Sequence, residues 1–143
     1  MAESDLDQVI AQYHLGLDEF AKGNPEPVIK MLSQRDDVSL ANPIGPAVRG
    51  WKQVVEAGQR AASQVREGES KIFENLVKVV TPELAFIVEK EWPRTKVGGR
   101  PDLATIELRV TTIFRREDGV WKIVHRHADP ITSDRPAESM IQK

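Results

Sequence analysis

Apolar residues recur with two different periods along the chain. Early on, Leu6, Val9, Ile10, Tyr13, Leu17 and Phe20 follow one another at three- and four-residue steps, which predicts a helix with one buried face. Ser4 and Asp7 ahead of that stripe have the spacing of a capping box with aspartate in the acidic position. Gly23-Asn24 predicts the end of this helix, and Asn24 reads as the N-cap of a short second one. That helix has Pro25 at its first position and Val28, Ile29 and Leu32 on its apolar side. Val38 to Asn42 predicts a short strand stopped by Pro43, Gly45 and Pro46. A third helix is predicted from Trp51 to Arg66, with Trp51, Val54, Val55, Gly58, Ala62 and Val65 facing inward. Gly58 weakens it by roughly 1 kcal/mol relative to alanine, which points to close packing or to room for a ligand.

From Ser70 onward the period becomes two. Strands are predicted at 70–80, 84–92, 102–116 and 120–128, with Thr81-Pro82-Glu83 as a turn and Asp118-Gly119 as a hairpin signal. Pro93 to Pro101 reads as a loop, and residues 131–143 as a polar tail beyond a single domain spanning 1–130. Helices first and long strands later predict an α+β domain.

A two-residue loop at Asp118-Gly119 sets Glu117 opposite Val120 and carries a register outward. Ile113 then faces Val124, Thr111 faces Arg126, Phe114 faces Ile123 and Thr112 faces His125. One face collects Ala104, Ile106, Leu108, Val110, Phe114, Trp121 and Ile123; the other carries Thr105, Glu107, Arg109, Thr111, Ile113, Val124 and Arg126. Either the apolar face packs the helices and the polar face is solvated, or the polar face lines a pocket and the apolar face meets a second chain. Periodicity favours the first.

Composition narrows the partners. The net charge of −2 gives no global reason to expect nucleic acid or an anionic membrane surface. The absence of cysteine rules out disulfides, thiolate catalysis and cysteine-ligated metals. No apolar run approaches the ~20 residues of a membrane span, and the first residues lack the apolar core of a secretory signal, so a cytoplasmic location is expected.

Several segments together resemble the nuclear transport factor 2-like superfamily, within it the SnoaL-like and ketosteroid isomerase-like proteins. They are Phe20-Ala21-Lys22-Gly23-Asn24, Asn42-Pro43-Ile44-Gly45, Phe86-Ile87-Val88-Glu89, Leu108-Arg109-Val110-Thr111 and the run from Asp118 to Pro130. The resemblance implies a cone-shaped, curved antiparallel sheet that encloses a pocket with three helices, all from the N-terminal half. It also implies a homodimer through the outer sheet face, here Val110, Phe114, Trp121 and Ile123. On that reading the pocket is lined by Tyr13, Asn42, Lys90, Trp92, Arg109, Thr111 and Arg126, with Glu107 beside Arg109. Leftover cations would then favour a small, partly apolar, anionic ligand.

The same resemblance bears on catalysis. The aspartate base of ketosteroid isomerases resembles Asn42 here, and asparagine does not hold a proton. The protonated acid resembles Thr111, and the tyrosine position falls on Gly16, one turn from Tyr13. Of the acid–arginine–acid set of epoxide hydrolases, only the arginine is kept, at Arg109; the acids fall on Thr111 and Arg126. The familiar machinery is therefore absent. The expectation is a small-molecule-binding protein without cofactor or metal. The alternatives are an isomerase, cyclase or hydratase using His125 or His127, and an interaction module with a filled pocket. His14 reads as an exposed helix residue, and Glu89 and Glu91 as solvated or salt-bridged opposite Lys90.

Overall fold

The computed structural model describes residues 5–142. The predicted capping residue Ser4 lies outside them. Helix α1 (Asp5–Phe20) buries Leu6, Tyr13 and Leu17, as the stripe predicts. Helix α2 is Glu26–Ile29, and Pro25 precedes it rather than opening it. The Asn24 carboxamide oxygen still accepts the Glu26 N–H at 3.2 Å. Helix α3 (Trp51–Ala62) stops four residues before the predicted end.

The strands among the described residues are β1 (Ser39–Ala41), β2 (Val48–Arg49), β3 (Val65–Glu69), β4 (Phe73–Val80), β5 (Leu84–Glu91), β6 (Arg94–Val97), β7 (Leu103–Thr105), β8 (Leu108–Glu117) and β9 (Val120–Asp129). They form a six-stranded sheet in the order β2-β1-β9-β8-β5-β4 and a small sheet in the order β3-β6-β7. The large sheet is mixed rather than wholly antiparallel, because β1 runs parallel to β9. The small sheet was not foreseen. Val65 and Arg66 continue the helical pattern in sequence, and β6 sits inside the stretch between Pro93 and Pro101 that reads as a loop.

The last hairpin closes as predicted, with Asp118 and Gly119 both at positive φ, as a tight primed turn requires. Glu117 pairs with Val120 and Phe114 with Ile123. The register then slips. Ile113 pairs with His125 and Thr112 with Arg126, so Val124 is an extra residue, a β-bulge. Trp121, Ile123 and Ala128 are all buried, although a strict alternation of faces would separate Ala128 from the first two.

The core lies between the concave face of the large sheet and the helices. Tyr13, Phe114, Trp121, Ile123, Ile87 and Val54 belong to one cluster, with the Tyr13 and Phe114 rings edge to face at 6.0 Å. This corrects the predicted dimer surface. Val110, Phe114, Trp121 and Ile123 are core residues, and Trp121 is only 4% exposed. Placing so much apolar side chain outside would forfeit the burial that drives folding. Among the described residues no helix is long and apolar enough to cross a membrane.

Candidate functional site

A cavity of about 390 Å³ opens on the concave side of the large sheet. Helix α1 presents Tyr13, Leu17 and Phe20 to it, and α3 presents Val54, Gly58 and Ala61. The sheet supplies Glu91, Leu108, Ile123, Arg126 and Ala128, and the loop after β1 adds Asn42, Pro43 and Ile44. Most of the wall is apolar. An alanine Cβ built at Gly58 would meet nothing within 4 Å, so this glycine leaves open space and does not serve close packing.

One polar cluster breaks the apolar lining. Glu91, from the last position of β5, is 2% exposed, and both its oxygens accept from Arg126, at 2.9 and 3.0 Å. Arg126 also donates to the Tyr13 hydroxyl, and Tyr13 Oη lies 2.8 Å from Thr112 Oγ1. Burial pushes the Tyr13 phenol above its usual range, so it stays protonated; the nearby Arg126 charge opposes this but does not overcome it. Arg126 stays charged: burial works against its charge, but Glu91 and the Tyr13 oxygen more than offset that and raise its pKa. A guanidinium has five N–H donors, and the contacts to Glu91 and Tyr13 use three. A second buried carboxylate, Glu89, is held by His14 Nε2 at 2.9 Å, and the His14 ring stacks on Phe73 at 3.8 Å.

The sequence-predicted site residues divide between the two faces. Tyr13, Asn42 and Arg126 line the cavity. Lys90, Trp92, Arg109 and Thr111 stand on the opposite, convex side. Lys90 pairs there with Glu107 at 3.5 Å and lies over the Trp92 ring. Arg109 is 55% exposed and holds Asp129 at 2.7 Å. Thr111 is on that face too, and its neighbour Thr112 is the inward hydroxyl. The bulge explains the split: it turns Arg126 inward while Arg109 and Thr111, on the unbulged partner strand, keep their parity.

The two histidines move the other way. His125 and His127 leave the Trp121 face for the convex side, where His125 Nδ1 sits 2.7 Å from Ser39 Oγ and His127 Nε2 sits 3.0 Å from Asp129. They do not reach the cavity as an acid or base. Among the described residues, no three of His, Asp and Glu converge as a metal site.

Glu91 is the residue that sequence reasoning missed. Phe86, Val88 and Lys90 share one face of β5, while Ala85, Ile87, Glu89 and Glu91 share the other. Both sets begin apolar, so alternation left the choice open. The usable signal was physical: a buried arginine demands a carboxylate partner.

Three helices packed on the concave side of a curved, unclosed mixed sheet define a nuclear transport factor 2-like α+β protein. The family model for the SnoaL-like domain matches residues 7–132, and the chain belongs to that family. A nuclear transport factor 2-like superfamily protein from Salmonella enterica serovar Typhimurium is 16% identical with a TM-score of 0.78, covering 94% of each chain. A ketosteroid isomerase-like protein from Erwinia carotovora is 17% identical with a TM-score of 0.71, covering 88% of this chain and 94% of that one. A domain of unknown function with a cystatin-like fold from Nostoc punctiforme reaches 0.69 at 15% identity, covering 92% and 81%. At these identities the likeness is one of fold. No curated protein sequence matches the chain.

Proposed function

We propose that the chain binds a small, mostly apolar and electrically neutral molecule in the concave cavity, through an acceptor oxygen held by Arg126. The observation that carries this is the state of Arg126. Its charge is already balanced by both oxygens of Glu91, while two of its five N–H groups have no partner among the described residues. The volume lies near the lower end of the roughly 300–1,000 Å³ range of small-molecule sites. Sequence reasoning favoured an anion because three cations were expected inside. With Lys90 and Arg109 on the convex face, an anion would meet the Glu91 carboxylate beside the single remaining guanidinium.

Calorimetric titration with a nine-carbon methyl ketone and the matching fatty carboxylate tests the reading. The ketone binds the wild type, the carboxylate binds at least tenfold more weakly, and Gly58→Leu removes ketone binding by filling the open wall. Tighter binding of the carboxylate, or no effect of the plug, overturns it.

The convex face supports a second element of the same reading: a second copy of the chain covers it. Val77 and Val79 of edge strand β4 continue through Val88 and Phe86 to Thr111 and Ile113 in a band along the register. Val77 and Val79 are exposed, and Phe86, Val88 and Ile113 are half-buried in the single chain. Salt bridges of Lys90 with Glu107 and of Arg109 with Asp129 flank the band, as the polar rim of an interface would. Native mass spectrometry of Phe86→Glu should show a folded monomer against a wild-type dimer. A wild type that is monomeric at micromolar concentration counts against this element alone.

A further inference from the structure

Among the described residues, two buried side-chain polar atoms have no hydrogen-bond partner, Trp121 Nε1 and Ser70 Oγ. Trp121 does not line the cavity; its ring lies under the Arg116 guanidinium at 4.3 Å. Ser70 does line the cavity and is only 3% exposed.

The surroundings of Ser70 explain why its hydroxyl is left over. The Ser70 amide donates to Asp18 Oδ1 at 2.7 Å. The other Asp18 oxygen takes Lys22 at 3.0 Å and Lys71 at 3.2 Å. The carboxylate is thus committed to holding the backbone at Ser70. Thr95, the other hydroxyl nearby on the wall, reaches the carbonyls of Ala21 at 2.7 Å and Arg66 at 3.0 Å. Satisfied neighbours surround one unsatisfied hydroxyl, in a wall that is mostly apolar. A buried hydroxyl without a partner is unfavourable unless something in the cavity supplies one.

We infer that Ser70 is a second polar anchor, and that the ligand carries a hydroxyl at the end remote from the group Arg126 holds. This rests on the cavity reading above. A hydroxyl is the natural complement, since serine and an alcohol each donate and accept. The two anchors are well separated. Tyr13 contacts Arg126, Asp18 contacts Ser70, and the five-residue step from Tyr13 to Asp18 spans roughly 7.5 Å along the axis of α1. The ligand class is therefore an elongated, bifunctional, uncharged molecule, such as a hydroxyketone, with an apolar middle.

Calorimetric titration of the nine-carbon methyl ketone and of its terminally hydroxylated derivative, into wild type and Ser70→Ala, tests this. The hydroxyketone should bind wild type at least as tightly as the ketone. It should weaken roughly five- to tenfold in Ser70→Ala, the effect of one net hydrogen bond, with ketone affinity unchanged. Equal hydroxyketone affinity in the two proteins overturns the assignment of Ser70 and leaves the cavity reading intact. If neither compound binds wild type, the cavity reading fails and this inference fails with it. The unliganded variant supplies an independent check. Because the hydroxyl has no protein partner to lose, Ser70→Ala should melt no lower than wild type. A clear fall in Tm, or failure to fold, means the hydroxyl serves the protein itself and overturns the inference.

Discussion

Replacing Gly58 with alanine tests whether the wall of the cavity is open where the structure leaves it open. Gly58 lies inside α3, where glycine is less favourable than alanine by about 0.8–1.0 kcal/mol. Its φ is not in the left-handed region, and a Cβ at that position meets no atom within 4 Å. Neither strain nor collision opposes the substitution, so nearly the full helix gain should appear. For 143 residues the unfolding entropy at the midpoint is about 0.3 kcal/mol/K, which converts that gain to a Tm rise of about 3 °C. Differential scanning calorimetry and urea denaturation at pH 7.5 both measure it, and the urea midpoint should rise without a change in slope. A Tm below wild type would show that the helix packs closely at Gly58 and that the cavity wall is not open there. If the gain is real, the natural sequence forgoes about 1 kcal/mol at this position, which is understandable where space matters more than stability.

Three further predictions concern the polar cluster, the small sheet and the convex face. Glu91→Leu leaves the Arg126 charge buried without its partner and should destabilise by about 3–5 kcal/mol in urea denaturation. Adding Arg126→Leu should recover most of that, and a double variant as unstable as the single one would refute the pairing. At Gly68 a Cβ would lie 2.4 Å from the Arg94 carbonyl oxygen and 2.4 Å from Thr95 Cβ. Gly68→Ala should therefore cost at least the roughly 1–3 kcal/mol typical of overpacking, and a neutral result in the same assay would contradict the β3–β6 approach. Burial, reinforced by the His127 charge, lowers the His125 pKa below 6.5. Between that lowered value and 6.5 the unfolded chain binds more protons, so stability falls as pH drops below about 6.5; His125→Gln should flatten this slope between pH 7.5 and 5.5, and an unchanged slope would refute it.

Much of the fold was legible because hydrophobic period and turn chemistry are local signals. The stripe from Leu6 to Phe20 marked α1, and Asp118-Gly119 set the last hairpin correctly as far as Ile123. What failed depended on contacts distant in sequence. The small sheet pairs β3 with β6 across an irregular register containing Glu67 at positive φ, and nothing in Val65 to Glu69 announces a strand. In the site, Tyr13, Asn42 and Arg126 were placed on the cavity, yet Arg126 was expected there as one of several cations on an unbroken face. It is there because of a bulge that local alternation does not reveal. The choice of face for β5 turned on which of two equally apolar sets packs under α1, a tertiary question.

That bulge has chemical consequences for the cavity. A one-residue slip exchanges all side chains between the faces of a strand. Val124 absorbs such a slip just where the chain after α2 docks on β9: Ser33 N–H donates to the Ile123 carbonyl, and Ile123 N–H donates to that of Met31. Before the bulge, Trp121 and Ile123 fill the core; after it, Arg126 and Ala128 face the cavity and His125 and His127 face away. A guanidinium so placed would be costly alone, but Glu91 stands on the same concave face within reach and takes both of its strong contacts. The product is a mostly apolar chamber whose one charged donor among the described residues is already neutralised and still has N–H groups to offer. A carboxylate ligand would have to displace Glu91 or lose its hydration beside it, whereas a ketone, ether or alcohol oxygen meets neither obstacle. The proposed selectivity for neutral acceptors thus follows from one inserted residue and one buried partner.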